Sequence, residues 1–290
     1  MTAEPRPMGE AVPPPGGGEA TAPASVLAHR LDGAPAAPPL LLLNGGFMSI
    51  ASWKPYAAPL AARFRLVRCD FRGQLLTPGP AHGDLGADAG DLVALLDHLG
   101  LDRVHVLGTS YGGEVGLMLA ARHPERVESL VAVTVADRTT EAMRRGGVEL
   151  RRVVGGILAG GDAAAFHDLL VGDVYSPAWV AANGAYLAAR RRQIAQLPRT
   201  WFAALDGLVA AVERFDLAAE LPAIRCPVLV VLAGDDGTIP AERGRAVAAA
   251  VPGARLVEHP TSGHALVVEE PEWLLEQALG FLAATAATGF

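Results

Sequence analysis

The sequence predicts an α/β protein in which a mostly parallel sheet is flanked by helices and interrupted by an inserted group of helices. Short apolar runs alternate with helix-like runs near both ends of the chain, and in the middle only helical segments follow one another. With 290 residues, 51% of them hydrophobic and 19% charged, the chain can bury a large core. We expect a sheet domain over residues 24–136 and 220–290, a helical cap over 137–219 and a flexible tail over 1–23.

Five strand candidates precede the predicted cap. They are "SVLAHRL", "PPLLLLNGG", "RLVRCDF", "RVHVLGTS" and "VESLVAVTVA", and apolar runs of this kind are typical of parallel strands buried on both faces. Helix candidates lie between them: "IASWKPYAAPLAARF", "DAGDLVALLDHLG", in which leucines recur at helical spacing before Gly100, and "YGGEVGLMLAARHP". The alternation of strands with helices predicts parallel pairing.

The middle of the chain offers only helical segments. These are "VELRRVVGGILAG", "AAAFHDLLVG", "PAWVAANGAYLAARRRQIAQL" and "TWFAALDGLVAAVERF". Alternation then resumes with "CPVLVVLAG", "AERGRAVAAAV", "ARLVEHP" and "PEWLLEQALGFLAATA". One sheet domain interrupted by a helical cap accounts for this order.

Composition and charge narrow the classes of partner. A net charge of -7 argues against binding to a phosphate backbone. The first residues lack the apolar core of a secretory signal, and no apolar run reaches the roughly 20 residues that span a bilayer.

Cys69 and Cys226 have neither a paired nor a metal-type spacing and are predicted to be buried free thiols. We expect a cytoplasmic protein with a small-molecule partner and no nucleic-acid or membrane partner; a homo-oligomer is compatible with the sequence.

Gly108-Thr109-Ser110-Tyr111-Gly112 matches the pattern G-x-S-x-G at the junction of a predicted strand and a predicted helix. A serine on so sharp a turn requires small neighbours, and the start of the helix favours negative charge beside it. Glycine and serine are also ordinary turn residues, so these five letters alone leave a structural role open. A dinucleotide-binding loop is disfavoured, because Ser110 stands where G-x-G-x-x-G requires its second glycine.

A serine nucleophile needs a base to accept its proton and an acid to orient that base. Of eight histidines, His264 is the best candidate, because "TSGHALVVEEPEW" places it in a loop between the last strand and the last helix. The acid is expected in the loop after "CPVLVVLAG", where Asp235 and Asp236 precede "GTIP". We choose Asp236, which is nearer that turn, and keep Asp235 as the alternative.

The combined motifs resemble the α/β-hydrolase superfamily. "LLLLNGGF", "DFRG", "GTSYGG", "AGDDGTIP" and "SGHALVVEEPE" follow one another in the order expected there, from about residue 24 to the end. The chain is similar to the cap-bearing serine hydrolase branch, with its small-molecule esterases, enol-lactonases and cofactor-free haloperoxidases. This resemblance implies the α/β-hydrolase fold, with Ser110, Asp236 and His264 as a catalytic triad.

The resemblance also implies an oxyanion hole. Its two N–H donors come, in that family, from the loop after the first long strand and from the residue after the nucleophile, which here are Gly46 and Tyr111. Phe47 replaces Gly46 if the loop is shifted by one position. Asn44 stands where the family often has histidine, and it can still hold the loop by hydrogen bonding.

The segment after "DFRG" departs from the family, since it reads "QLLTPGP" where another glycine and a serine are frequent. We interpret Asp70 and Arg72 as turn-forming residues that fix a loop by charge-assisted hydrogen bonds, and Leu75 and Leu76 as candidates to face the substrate.

The predicted activity is hydrolysis of a carboxylic ester or lactone of a small, partly apolar molecule through an acyl-enzyme, with no metal or cofactor. Acyl transfer, thioester hydrolysis, peracid formation and carbon–carbon cleavage use the same triad, and a non-catalytic ligand-binding protein of this fold is the alternative from another class. We expect the helical cap to act as a lid over an apolar pocket. Within the predicted cap, we interpret the basic run as a solvated helix face, which comprises Arg190, Arg191 and Arg192. We interpret the aromatic residues of the cap as packing among its helices or as lining of the pocket, and they are Trp179, Tyr186, Trp201 and Phe202.

Overall fold

A single twisted sheet organises the computed structural model, which describes residues 26–77 and 79–288. Within these residues the strands are β1 (His29–Asp32), β2 (Pro39–Leu43), β3 (Arg65–Cys69), β4 (Val104–Thr109), β5 (Val127–Val133), β6 (Val228–Ala233) and β7 (Arg255–His259). Their order across the sheet is β1-β3-β2-β4-β5-β6-β7, and every neighbouring pair is parallel except β1 with β3. The predicted fold class is confirmed, while the predicted tail over residues 1–23 lies outside the described residues.

Helices cover both faces of the sheet, as the apolar strand sequences require. Leu40 and Leu42 of β2 point into one buried cluster, and Leu41 and Leu43 into another on the opposite face. The first cluster includes residues of α1 (Lys54–Ala61) and α11 (Pro271–Thr288), and the second includes residues of α2 (Leu85–His98), α3 (Tyr111–Arg122) and α9 (Ala241–Ala250). The central strands β2, β4, β5 and β6 are therefore buried along most of their length.

The chain between β5 and β6 forms a helical insertion. It contains α4 (Glu141–Leu158), α5 (Ala164–Val174), α6 (Pro177–Ala182), α7 (Gly184–Ala195) and α8 (Arg199–Glu213). The segment "PAWVAANGAYLAARRRQIAQL", predicted to be helical, forms two helices that are separated at Asn183, where φ is -120° and ψ is 35°. The Asn183 side chain donates to the Trp179 carbonyl oxygen at 2.9 Å and so ends α6, a local bond that asparagine offers in place of continued helix.

Two smaller predictions concern the cysteines and the membrane. Cys69 and Cys226 are buried free thiols, as predicted. Burial raises the pKa of both, that of Cys226 to about 11, so that the unreactive thiol form is favoured. Among the described helices, none is both long enough and apolar enough to cross a bilayer.

Candidate active site

Ser110 occupies the turn between β4 and α3. Its backbone has φ of 51° and ψ of -125°, a conformation that costs a residue with a side chain roughly 1–3 kcal/mol. The Ser110 N–H donates to the Val133 carbonyl oxygen at 2.8 Å, which holds the turn against the end of β5. A Cβ at Gly108 would lie 2.5 Å from the Gly112 carbonyl oxygen, and one at Gly112 would lie 2.5 Å from the Leu43 carbonyl oxygen. Both glycines are thus required by packing, and the Ser110 side chain is left at the carboxyl edge of the sheet.

His264 and Asp236 meet Ser110 at this edge. The Nε2 atom of His264 lies 2.9 Å from Ser110 Oγ, and its Nδ1 atom lies 2.9 Å from Asp236 Oδ2 and 3.1 Å from Oδ1. Because a carboxylate can only accept, Nδ1–H donates to Asp236 and Nε2 is left to accept from the Ser110 hydroxyl. The three residues proposed from the sequence therefore form one hydrogen-bonded chain, although they are far apart along the polypeptide.

The loop after β6 distinguishes Asp236 from Asp235. Asp236 Oδ1 accepts the backbone N–H groups of Thr238 at 2.9 Å and Ile239 at 2.7 Å, and the side chain is 2% exposed. Asp235 is exposed, and its backbone N–H donates to the Ser262 carbonyl oxygen at 2.9 Å. The structure places Asp236 against the imidazole, whereas Asp235 lies outside this contact.

The electrostatic surroundings of His264 favour its protonated form. Burial alone would lower the pKa of His264, but the charge of Asp236, its hydrogen bond and the charge of Glu114 together raise that pKa above its usual value. Glu114 is buried in the first turn of α3 and accepts the Ala136 N–H at 3.3 Å. Burial raises the pKa of Glu114 to about 7. Glu114 was not predicted from the sequence, although an acid within an otherwise apolar helix is a signal that could identify it.

The loop after β2 forms a tight turn beside Ser110. Met48 N–H donates to the Gly45 carbonyl oxygen at 3.1 Å, and Gly46 and Phe47 lie at the tip of that turn. A Cβ at Gly46 would lie 4.0 Å from Cβ of Tyr111, which is the first residue of α3 and so has an N–H without a partner inside the helix. The structure thus brings together the two residues that the resemblance implied as oxyanion donors.

Asn44 and Asp70 stabilise this loop through hydrogen bonds. Asn44 Nδ2 donates to the Cys69 carbonyl oxygen and to Asp70 Oδ1, each at 2.9 Å, and Asn44 Oδ1 accepts the Trp53 indole N–H at 2.8 Å. Asp70 also accepts the Ile50 N–H at 2.6 Å. The expected hydrogen-bonding role of Asn44 is therefore present, and Asp70 does stabilise turns.

Arg72 makes its ion pair with Asp91, at 2.6 Å, and not with Asp70. His82 also lies 2.8 Å from Asp91, and the nearby buried Asp88 accepts a short hydrogen bond from the Tyr111 hydroxyl. His82, Asp88 and Asp91 are close enough to share a metal ion, a grouping that the sequence analysis did not single out. Because the Arg72 guanidinium already compensates Asp91, the group is a hydrogen-bonded charge network as it stands.

The helical insertion is attached to both loops that carry His264 and Asp236, and in the Asp236 loop the Thr238 hydroxyl donates to the Asp173 carbonyl oxygen at 3.2 Å. Ala265 N–H donates to the Val174 carbonyl oxygen at 2.8 Å. Glu269, in the short helix α10 (Leu266–Glu269) that the sequence analysis did not predict, accepts the Ser176 N–H at 2.9 Å, its hydroxyl at 2.7 Å and the Gly263 N–H at 3.1 Å. The connection between α5 and α6 is thus hydrogen-bonded to the loop that carries His264.

The remaining candidates of the insertion separate into two groups. Trp201 and Phe202 are buried and pack on Phe166, whose ring also lies 5.0 Å from that of Phe47. A second cluster, half-buried, has Tyr175 stacked on Trp179 at 4.7 Å and Tyr186 at the edge of both.

The three arginines and the two leucines of the sequence analysis lie at the surface or close to it. Arg191 and Arg192 are exposed and Arg190 is half-buried, with Arg191 paired to Asp168 at 2.8 Å. Leu75 and Leu76 are exposed, at 37% and 50%.

Comparison with known proteins defines the class. A family model described as alpha/beta hydrolase fold matches residues 38–271, so the chain belongs to the α/β-hydrolase family. A relative from Caulobacter sp. (strain K31), named "Putative carbamate hydrolase RutD", is 33% identical over 267 residues, which are 90% of this chain and 97% of that protein. Among solved structures, the enol-lactonase from Burkholderia xenovorans LB400 has a TM-score of 0.77 and 27% identity over 89% of this chain and 96% of that one. A thermophilic esterase from Thermogutta terrifontis has a TM-score of 0.76 and 27% identity, covering 89% and 93%. These comparisons support hydrolysis as the class of reaction.

Proposed function

We propose that the protein is a serine hydrolase that cleaves a carboxylic ester or lactone of a small, partly apolar molecule. The observation that carries this proposal is the hydrogen-bonded chain from Asp236 through His264 to Ser110, with 2.9 Å at each contact. A nucleophile with a positioned base, itself oriented by a buried acid, is the arrangement that acyl transfer to serine requires. The family relationship agrees with this chemistry.

The reaction follows from the protonation states of these groups. His264 Nε2 takes the proton of Ser110 as Oγ bonds to the acyl carbon, and the carbonyl oxygen becomes an oxyanion. The N–H groups of Gly46 and Tyr111 stabilise that oxyanion, each by roughly 3 kcal/mol in comparable sites. The imidazolium then protonates the leaving alkoxide, and the acyl group remains on Ser110. His264 then deprotonates a water molecule that attacks the acyl-enzyme, and as the acyl–oxygen bond breaks the imidazolium returns that proton to Ser110 Oγ and the acid leaves.

Aromatic side chains beside the site favour an apolar substrate. Phe47 adjoins Gly46 and contacts Phe166 of the insertion. The cluster of Tyr175, Trp179 and Tyr186 begins directly after Val174, whose carbonyl oxygen accepts the N–H of Ala265 in the loop that carries His264. We therefore assign the helical insertion the role of a cap that shapes the acyl or alcohol pocket and limits access of water.

Carbamate hydrolysis is the second candidate, and the observation that favours it is that relatives 30–33% identical to this chain are named putative carbamate hydrolases. A carbamate carbonyl is attacked in the same way, but the acyl-enzyme would be a carbamoyl-serine. Its hydrolysis is slow unless the site activates water well, so the two functions predict different rate-limiting steps.

One set of measurements tests both candidates. Chromogenic esters, lactones and carbamates of graded chain length are compared by kcat/KM, and a fluorophosphonate adduct is located by mass spectrometry. We expect labelling at Ser110 and a loss of at least about 10⁴-fold in kcat for Ser110→Ala. Higher kcat/KM for the carbamates than for matched esters would favour the second candidate. A folded wild-type protein that neither reacts at Ser110 nor turns over any of these compounds would favour the ligand-binding alternative.

A further inference from the structure

Gln74 is a buried polar residue beside the turn that contains Gly46, and it is only 3% exposed. Its Oε1 atom accepts the Phe71 backbone N–H at 3.0 Å and Asn44 Nδ2 at 2.9 Å. Its Nε2 atom donates to the Gly45 carbonyl oxygen at 2.9 Å and lies 3.5 Å from that of Gly46. Because the Phe71 N–H can only donate and a carbonyl can only accept, these partners determine the orientation of the Gln74 amide.

The contact with Gly45 acts on the peptide group that carries the Gly46 N–H. In a trans peptide, the C=O of one residue and the N–H of the next share a plane and point in opposite directions. The described residues contain no cis peptide bond. Holding the Gly45 oxygen toward Gln74 therefore directs the Gly46 N–H to the other side. Since glycine has no Cβ to restrict rotation, two consecutive glycines leave this orientation to contacts from outside the turn.

The same turn runs along the segment that carries the nucleophile. A Cβ at Gly45 would lie 3.5 Å from the Thr109 carbonyl oxygen, and one at Gly46 would lie 4.0 Å from Tyr111 Cβ. The second partner of the Gly45 oxygen, the Met48 N–H, belongs to the turn itself and can move with it. Gln74 reaches the turn from the separate segment that follows β3.

We propose that Gln74 is a positioning residue that holds the Gly45–Gly46 peptide group with its N–H directed at the oxyanion formed on Ser110. The inference rests on the proposed acyl-enzyme function. Without the Gln74 amide, the peptide group can rotate and present a carbonyl oxygen, which repels an oxyanion. The effect falls on the tetrahedral states, because only they carry the negative charge.

Two substitutions separate the contacts of Gln74. Gln74→Glu retains an acceptor for Phe71 and Asn44 but, with its carboxyl group ionised as at the alkaline pH of the assay, places an oxygen, in place of the donor, against the Gly45 carbonyl. Gln74→Met retains the length of the side chain and removes both functions. Thr77→Val is the matched control, since Thr77 lies in the same segment, is 3% exposed and donates to the Asp70 carbonyl oxygen at 2.5 Å without contacting Gly45.

The experiment measures kcat and KM for a chromogenic ester, together with the inhibition constant of a trifluoromethyl ketone, which adds to serine and places an oxyanion in the hole. Circular dichroism and urea unfolding report the folded fraction. For both Gln74 variants we expect kcat to fall roughly 10- to 100-fold, KM to stay within about twofold and the inhibition constant to rise by the factor lost in kcat/KM. We expect Thr77→Val to lose stability and to keep the wild-type kcat.

A folded Gln74→Glu protein with wild-type kcat and inhibitor affinity would overturn the inference. An equal loss of kcat in Thr77→Val would also overturn it, because general weakening of the segment would then explain the effect. If Gln74→Met does not fold, Gln74→Glu decides the question. A wild-type protein with no turnover and no adduct on Ser110 would instead overturn the proposed function, and this inference with it.

Discussion

Replacement of Asp236 by asparagine removes a charge while keeping the shape of the side chain. Asp236 Oδ1 accepts two backbone N–H groups, from Thr238 and Ile239. An asparagine must place its carbonyl oxygen there, because its NH₂ group would otherwise face two donors. The NH₂ group is then forced toward His264 Nδ1, in the place of Oδ2. That nitrogen must accept, so the imidazole proton moves to Nε2, which can no longer accept from Ser110.

The size of the effect can be estimated in two ways. At the observed separation of about 3 Å, a carboxylate and an imidazolium in a partly polar interior attract each other by roughly 5 kcal/mol. Asp236 is 2% exposed, so solvent screens this attraction little. Loss of the correct tautomer in a comparable triad lowers kcat by about 10⁴-fold, which corresponds to roughly 5.5 kcal/mol. We therefore expect a loss of about 10³- to 10⁴-fold in kcat/KM.

The assay is hydrolysis of a chromogenic ester at fixed pH, with the folded fraction measured by circular dichroism. Asp235→Asn is the matched control, because it makes the same change in charge at the adjacent but exposed residue. We expect the control to stay within about twofold of wild type. The reasoning would be refuted if Asp236→Asn kept more than about a tenth of the activity, or if Asp235→Asn lost as much.

Two further predictions concern buried acids. The charge of Glu114 raises the pKa of His264. Glu114→Gln should therefore move the acid limb of the kcat/KM profile to lower pH, because the imidazole is then still unprotonated there. An acid limb that does not move in the pH–rate profile would contradict this. Burial raises the pKa of Asp88 to about 6, above its value of about 3.9 in an unfolded chain, so the contribution of Asp88 to the free energy of unfolding should fall by roughly 2–3 kcal/mol as pH rises from 4 through 6. Asp88→Asn should lack this fall. The free energy of unfolding of the variant minus that of wild type should therefore increase from pH 4 to pH 6 and stay constant above pH 6. Urea unfolding at pH 4, 5, 6 and 8 measures the difference, and parallel pH profiles of the two proteins would contradict the prediction.

The fold could be predicted because local patterns and the global structure agree. The runs that became β4 and β6 are continuous and apolar, and only a sheet covered on both faces buries such runs fully. The local pattern did not show where one helix ends and the next begins. The stretch from 177 to 197 has helical periodicity throughout, but the Asn183-Gly184 pair ends one helix and begins the next.

The candidate site was predicted in part, for a related reason. Ser110 and His264 stand in local contexts that limit their conformations, the first between two glycines at a strand end and the second in a loop before a helix. Asp236 and Asp235 share the same local context, and only the bonds from Thr238 and Ile239 and the contact with the imidazole separate them. The sequence alone does not determine which of two adjacent side chains points toward the imidazole.

The sequence by itself determined the alternation of strands and helices and supplied the residue types of the proposed nucleophile, base and acid, because these depend on periodicity and on short motifs. Tertiary structure alone decided the partners of side chains that meet across distant segments. Arg72 pairs with Asp91, Glu114 lies near His264, and Gln74 reaches the Gly45 carbonyl. Such contacts are set by how loops and helices pack against one another at the carboxyl edge of the sheet, and no periodic pattern in the sequence predicts which of these segments meet.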